Sequence, residues 1–182
     1  MNEGAIYFLE RDHLLILKLV GTIRIASREA GQLSAGLEAF IRSLPQRKGV
    51  NQLLIDLSEA VVIDSTHLGL LAQAAQFTLS RWRRRPTLVS TNPEINAVLE
   101  SVCFDQVFLI VRDAGLPTDE LKRLEAVAPA EAAPVRLMLE AHRALAQITP
   151  ANEQQFRNVI ELLDQEAQRS PAPFHDSGPS PR

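Results

Sequence analysis

The sequence is poor in the residues that mark secreted, metal-binding and membrane proteins. Cys103 is the single cysteine among 182 residues, which excludes an intramolecular disulfide, and no Cys/His set has the spacing of a zinc site. No apolar run approaches the ~18 residues of a membrane span, and charges at residues 10–12 interrupt the first apolar stretch, so no signal peptide is evident. We therefore expect a cytoplasmic protein that has no structural metal, no bound cofactor and no membrane span.

The chain also lacks a strong excess of charge of either sign. Its formal net charge is −3, whereas proteins that bind nucleic acid or anionic membranes usually carry a basic excess. The basic run at residues 81–85 surrounds Trp82, but it falls where a helix is predicted to end, and cations there complement the helix dipole. We interpret this run as a solvated helix terminus and expect no nucleic-acid partner.

Composition changes near Asp113 and predicts three parts. Seven of the nine aromatic residues precede residue 109, whereas seven of the eleven prolines follow residue 128. The packed core should therefore belong to the first half. We expect a folded domain over residues 1–112, a helical extension over 113–169, and a disordered, proline-rich tail over 170–182.

Hydrophobic periodicity predicts alternating strands and helices. Strands are predicted over residues 6–9, 14–20, 52–57, 87–90 and 107–111, the first two as an antiparallel hairpin. Helices are predicted over residues 27–44 and 66–82, from Pro93, and over 118–127, 134–148 and 149–169. This order predicts an α/β fold, with a mixed central sheet of four to five strands, crossover helices and a C-terminal helical extension.

One strand-to-helix junction carries residues suited to binding an anion. Asp64, Ser65 and Thr66 follow an apolar strand where a helix begins, and Gly69 lets another backbone or a partner come close. The first turn of a helix presents unpaired N–H groups and the positive end of its dipole, which stabilise a phosphate. The same residue types are also preferred helix caps, so a junction without a regulatory role would carry them too.

This junction resembles the signature of the STAS family, the anti-sigma factor antagonists. Residues 53–58 (LLIDLS) and 63–69 (IDSTHLG) are similar to the family pattern L-x-x-D-L-x followed by I-D-S-[ST]-G-L-G. The similarity extends to residues 21–23 (GTI) and continues through residues 86–108, so it covers about residues 5–112. It implies a STAS-like fold for this part, whereas the helical extension lies outside the resemblance.

The resemblance implies a phosphorylation switch in a bacterial regulator of transcription. In the family, a serine kinase of GHKL type, which is also an anti-sigma factor or switch protein, phosphorylates the second hydroxyl of D-S-[ST], and a PPM-type phosphatase reverses this. That position is Thr66 here, with Ser65 as the second choice. Asp64 is expected to cap the helix and to help place the kinase or phosphatase metal chemistry, while Gly69 keeps the docking surface flat.

We therefore expect an anti-sigma factor antagonist-like protein that binds its partner when bare and releases it when phosphorylated on Thr66. A phosphate adds about −1.5 to −2 charges that docking would have to desolvate, which weakens binding. The alternative is an accessory or scaffold STAS subunit of a lipid-transport ATPase or of a signalling complex.

Two residues depart from the family pattern. Arg24 stands where many members carry Asp, and we hypothesise that it pairs with a phosphate on Thr66. His67 replaces the usual Gly, and we expect it on the surface, where it would modulate the docking face. His67 beside Asp64 and Ser65 also suggests a hydrolase, but neighbouring residues at a helix start point in different directions and no G-x-S-x-G elbow is present. We therefore predict no catalytic residue and no enzyme.

The helical extension needs apolar cover. Phe156, Ile160 and Leu163 share one stripe of the last predicted helix, and such a helix is not stable alone in water. Two arrangements remain open: the extension docks on the domain of the same chain, or it forms a homodimer through the C-terminal helices.

Overall fold

The computed structural model describes residues 4–25, 28–113, 120–127 and 133–169. The strands in these residues are β1 (Ala5–Arg11), β2 (Leu14–Ile23), β3 (Gln52–Ile63), β4 (Thr87–Val89), β5 (Leu109–Val111) and β6 (Lys122–Arg123). The α-helices are α1 (Arg28–Arg42), α2 (Ser65–Phe77), α3 (Pro93–Ser101), α4 (Ala133–Ala146) and α5 (Pro150–Arg169). The α/β fold with C-terminal helices is confirmed, while the predicted tail over 170–182 lies outside the described residues.

The strands form one mixed sheet in the order β5-β4-β3-β2-β1-β6. β1 and β2 make the predicted antiparallel hairpin, and β2, β3, β4 and β5 are parallel. Parallel neighbours need crossover connections, which α1, α2 and α3 provide. Ile23 pairs with Ile63 at the ends of β2 and β3, so Arg24 and Asp64 follow neighbouring strands at one edge of the sheet.

The sixth strand, β6, corrects the helix predicted over residues 118–127. Lys122 and Arg123 pair with β1, and the Leu124 N–H donates to the Ile6 carbonyl at 2.8 Å. Leu121 and Leu124 would share one face of a helix. In the structure they directly precede and follow β6 and pack against two different apolar clusters. The free edge of β1 therefore decides the conformation here, and the sheet has one strand more than predicted.

The helix predicted over residues 66–82 has two parts. α2 ends at Phe77, and a π-helical segment over Thr78–Trp82 follows it directly. Arg83 ends this turn in the left-handed conformation, with φ 58°. The basic run thus falls at a helix terminus, in agreement with the sequence interpretation.

One large apolar cluster joins the sheet, its crossover helices and the extension. Its members include Leu17 and Ile55 from the sheet, Leu71 from α2, and Leu145 and Phe156 from α4 and α5. The extension therefore docks on the domain within one chain, and this cover does not require a second copy. A smaller cluster on the opposite face of the sheet consists of Leu9, Ile16, Leu54 and Val89. Within the described ranges, no helix is long and apolar enough to cross a bilayer.

Candidate functional site

The site predicted from the sequence lies at the corner where β3 leads into α2. Asp64 has extended backbone geometry (φ −92°, ψ 168°) and caps the helix, since its carboxylate accepts from the N–H of His67 at 2.9 Å. The Asp64 N–H donates to the Ile23 carbonyl at 3.1 Å, which ties the corner to the end of β2. We call residues 63–69 the β3–α2 corner.

Asp64 is the anchor of this corner. Its Oδ2 accepts from the N–H of Ile25 at 2.7 Å, while Oδ1 also lies 2.7 Å from Nδ1 of His67. Burial alone would raise the pKa of Asp64, but the hydrogen bonds and the charge attraction of His67, together with the two backbone N–H groups, outweigh burial and lower this pKa. A carboxylate thus already lies at the N-terminus of α2, so a phosphate added beside it would meet a like charge.

His67 does not lie on the surface, so that prediction was wrong. Its side chain is 1% exposed, and Nε2 lies 2.9 Å from the hydroxyl of Ser34 on α1. Because both ring nitrogens have partners inside the fold, the imidazole is buried without an unsatisfied polar atom. No local sequence pattern identifies Ser34 as a partner, since it belongs to another helix 33 residues away.

The chain of Asp64, His67 and Ser34 has the distances of a catalytic triad but not its accessibility. The two links measure 2.7 and 2.9 Å, which match the carboxylate–imidazole–hydroxyl arrangement of hydrolases. A nucleophile needs a reacting atom about 3 Å away, whereas Ser34 is 1% exposed. These bonds therefore join α1 to the start of α2, with the Ser34 hydroxyl closed to solvent.

The two candidate phosphoacceptors are covered to different degrees. Thr66 is 4% exposed, whereas Ser65 is half-buried and its Oγ lies 2.9 Å from Nε2 of His142 on α4. Nδ1 of His142 lies 2.7 Å from the Met138 carbonyl, which can only accept, so Nδ1 carries the proton. In the neutral imidazole, Nε2 is then the acceptor and the Ser65 hydroxyl donates to it. Sequence reasoning missed His142, because no local pattern connects it to a serine 77 residues away.

Gly69 lies beneath α4. A Cβ on Gly69 would be 2.6 Å from the Cα of Ala141 and closer still to its carbonyl group. The predicted close approach of a second backbone therefore occurs, and the backbone is the chain's own α4. Gln76 extends the same contact, since its side-chain amide donates to the Ala144 carbonyl at 3.0 Å.

The remaining predicted site residue, Arg24, is exposed and directly precedes Ile25, whose N–H binds Asp64. Its side chain thus belongs to the surface beside the corner, whereas Thr66, His67 and Gly69 are buried. Among the residues that the structure describes, no group of three or more His, Cys, Asp or Glu side chains could hold a metal ion.

Comparison with known proteins gives a structural similarity without a sequence match. The sequence matches no protein-family model and no curated protein. The structure is similar to that of the anti-sigma factor antagonist SpoIIAA in its unphosphorylated form, with a TM-score of 0.46 and 15% sequence identity. This likeness covers 60% of the present chain and 88% of that protein.

Proposed function

We propose that this chain is a non-enzymatic partner-binding switch of the STAS type, similar to an anti-sigma factor antagonist. The hydroxyl groups at the β3–α2 corner would control whether a second protein binds. Its partner would be a GHKL-type kinase or anti-sigma factor, and a PPM-type phosphatase would reset the switch. The setting would be the cytoplasm of a bacterium.

One observation carries this proposal. The Ser65 hydroxyl, which a kinase could modify, also forms a contact between α2 and α4. The Ser65 hydroxyl donates to His142 at the start of α2, so its modification would change the surface that α2 presents. This contact occurs within the IDSTHLG motif at residues 63–69, on which the STAS resemblance rests. Local chemistry and sequence pattern thus support the same residues.

The two candidate acceptors have different support. The resemblance favours Thr66, but this side chain is buried and would have to move before a kinase could reach it. Exposure favours Ser65, because this residue is only half-buried. A phosphate on Thr66 would therefore show that the corner opens before the kinase acts, whereas a phosphate on Ser65 would not require this opening.

Charge explains why the phosphate would act as a release signal. It would add about −1.5 to −2 charges beside the carboxylate of Asp64, and a docked partner would have to desolvate both groups. A loss of roughly 4 kcal/mol weakens binding about a thousandfold. Arg24 is the exposed cation next to the corner, and we propose that it pairs with the phosphate and stabilises the released form.

The test is phosphate mapping followed by a binding measurement. The full chain would be produced together with GHKL-type kinases of the same genome, as wild type, Ser65→Ala and Thr66→Val, with Ser80→Ala as a control at an exposed serine. We expect one phosphate in residues 63–69, lost in one corner variant and kept in the control. The bare chain should bind the kinase and the phosphorylated chain should not.

Two outcomes contradict the proposal. One is the absence of phosphate on both Ser65 and Thr66 in every combination, and the other is equal kinase binding by the bare and phosphorylated chains. Arg24→Asp tests the proposed pairing of Arg24 with the phosphate separately from phosphorylation itself. In this variant the phosphatase should remove the phosphate faster, while the kinase should still add it.

A further inference from the structure

The hairpin formed by α4 and α5 covers the surface on which a partner would dock. α4 lies along α2 and meets it at Ser65, Gly69 and Gln76, which span most of that helix. α5 packs against α4, and the rings of His142 and Phe156 meet edge to face at 5.8 Å. In this structure, α4 therefore already covers the β3–α2 corner at Ser65 and Gly69.

The chemistry of this contact defines what fits the surface. Gly69 admits a backbone that carries a small residue, here Ala141, and Ser65 supplies a donor that needs an acceptor, here His142. Leu137 and Leu145 of α4 are buried in the apolar cluster that also contains Leu71 of α2. The surface thus fits an amphipathic helix with a small residue at its point of closest approach.

From these contacts we infer that the α4–α5 hairpin is an intramolecular ligand of α2, which excludes an external helix of the same chemistry. The inference rests on the proposed function, because it assigns the partner to this same corner. When the hairpin is open, the partner's helix would replace α4 on Gly69 and cover the apolar residues that opening exposes. The partner's apparent affinity is then reduced by the fraction of molecules that are closed.

Phosphorylation belongs to the same scheme. A phosphate on Ser65 would remove the proton that this hydroxyl donates to His142 and would add charge beneath α4. Hairpin and partner both need a bare Ser65, so the phosphorylated corner would be open and unoccupied. Thr66 is buried beside Ser65, and in this scheme opening of the hairpin would also bring Thr66 within reach of a kinase.

The chain offers a reversible lock for testing this inference. Thr149, in the turn between α4 and α5, has its Oγ1 3.8 Å from Sγ of Cys103, which follows α3. In Thr149→Cys, oxidised glutathione would take two electrons and two protons from the two thiols; its own S–S bond breaks to give two reduced glutathione molecules, and the new protein disulfide tethers the hairpin. The same protein after reduction is the matched control, and thiol counting reports formation of the bond.

Hydrogen exchange of the full chain measures opening without a partner. In the reduced variant, we expect amides of α4 and of the first turns of α2 to exchange at least tenfold faster than those of β2 and β3. Oxidation should slow the α4 and α2 amides about tenfold. The inference is overturned if α4 exchanges at the rate of β2 and β3, because the hairpin would then open only when the whole protein unfolds.

A second variant keeps the test decisive if the disulfide does not form. Ala141→Leu enlarges the hairpin side of the contact and leaves every residue of α2 unchanged. We expect at least tenfold faster exchange over residues 65–76 with unchanged exchange in β2 and β3; unchanged exchange over residues 65–76 would contradict the inference.

Kinase treatment of the locked and reduced Thr149→Cys proteins separates the two proposals. Phosphorylation of the reduced form alone supports the hairpin as a cover. Equal phosphorylation of both forms overturns the inference that the hairpin covers α2 but does not contradict the proposed phosphorylation switch. Phosphorylation of neither form contradicts the proposed function.

Discussion

The backbone of Ala141 lies where a side chain on Gly69 would begin. A Cβ on Gly69 would stand 2.6 Å from the Cα of Ala141, a separation that real Cβ atoms essentially never show. Backbone atoms cannot rotate away as a flexible side chain can, so the packing of α4 on α2 depends on this glycine. Adding a single methyl group at this position, as in Gly69→Ala, therefore tests the contact between α2 and α4 directly.

Gly69→Ala should lower the free energy of unfolding by about 1–3 kcal/mol, the usual effect of overpacking. This loss would occur although alanine raises helix propensity by about 1 kcal/mol over glycine. Urea denaturation of the wild type and the variant measures the difference. Hydrogen exchange should place the change in α2 and α4.

The matched control is Gly31→Ala in α1, where an added Cβ meets no heavy atom within 4 Å. This variant should be more stable than the wild type by about 0.5–1 kcal/mol, since propensity acts there without a clash. If Gly69→Ala were stabilised by the same amount, the close contact of α2 with α4 would be wrong.

A second prediction concerns the bond between Ser65 and His142. Ser65→Ala leaves the buried Nε2 of His142 without its donor, which should cost about 1–3 kcal/mol of stability. A double-mutant cycle with His142→Ala should give a coupling energy of about 1 kcal/mol. Additive single effects would show that the two side chains do not interact, and Ser80→Ala provides the baseline for an exposed serine.

Local patterns predicted much of the fold and part of the site. Short apolar runs around Asp12 predicted the β1–β2 hairpin, and the residue types at Asp64 and Ser65 predicted the start of α2. These features are set by residues close in sequence, through strand alternation and helix capping. The resemblance to the STAS family depended on the same local segment.

Contacts between distant segments account for what was missed. Leu121 and Leu124 have helical spacing, but the open edge of β1 recruits their segment as a strand. His67 has the polarity of a surface residue, but Ser34 on another helix satisfies its second nitrogen. His142 gave no signal at all, because its relation to Ser65 exists only once α4 has docked on α2.

The third prediction is a pH dependence that arises from Asp64. Because the folded-state pKa of Asp64 is lowered from 3.8, its charge stabilises the protein fully above that pH, and this contribution is lost as the pH falls through the folded pKa. Asp64→Asn keeps a helix-capping oxygen but loses the charge that attracts His67. The stability difference between wild type and Asp64→Asn should therefore be largest near pH 7 and shrink below about pH 4.

Urea denaturation between pH 3 and 7 measures this difference. Asp105→Asn, at an exposed aspartate next to Gln106, is the control and should change stability little over the same range. A difference for Asp64→Asn that stays constant over the whole range would show that the carboxylate contributes through its shape rather than its charge.

The last prediction concerns Asn152, which joins the hairpin to the rest of the fold. Its side chain is 1% exposed, and its amide donates to the carbonyls of Val102 and Leu145, both at 2.9 Å. Asn152→Ala removes two hydrogen bonds and should cost about 2 kcal/mol. Asn152→Asp has nearly the same shape, but it would place a buried carboxylate against two carbonyl oxygens, and it should cost about 3–5 kcal/mol at pH 7.

The cost of Asn152→Asp should fall with pH, because this unfavourable site raises the folded-state pKa of the new carboxyl above its unfolded value, and the protonated group can donate one hydrogen bond. Urea denaturation at pH 7 and pH 4.5 would show this, with Asn51→Asp as the control at an exposed position. If Asn152→Asp were as stable as Asn152→Ala at pH 7, the amide would not be donating to these carbonyls. The start of α5 would then be held by apolar contacts such as those of Phe156, rather than by the bond of Asn152 to the Val102 carbonyl after α3.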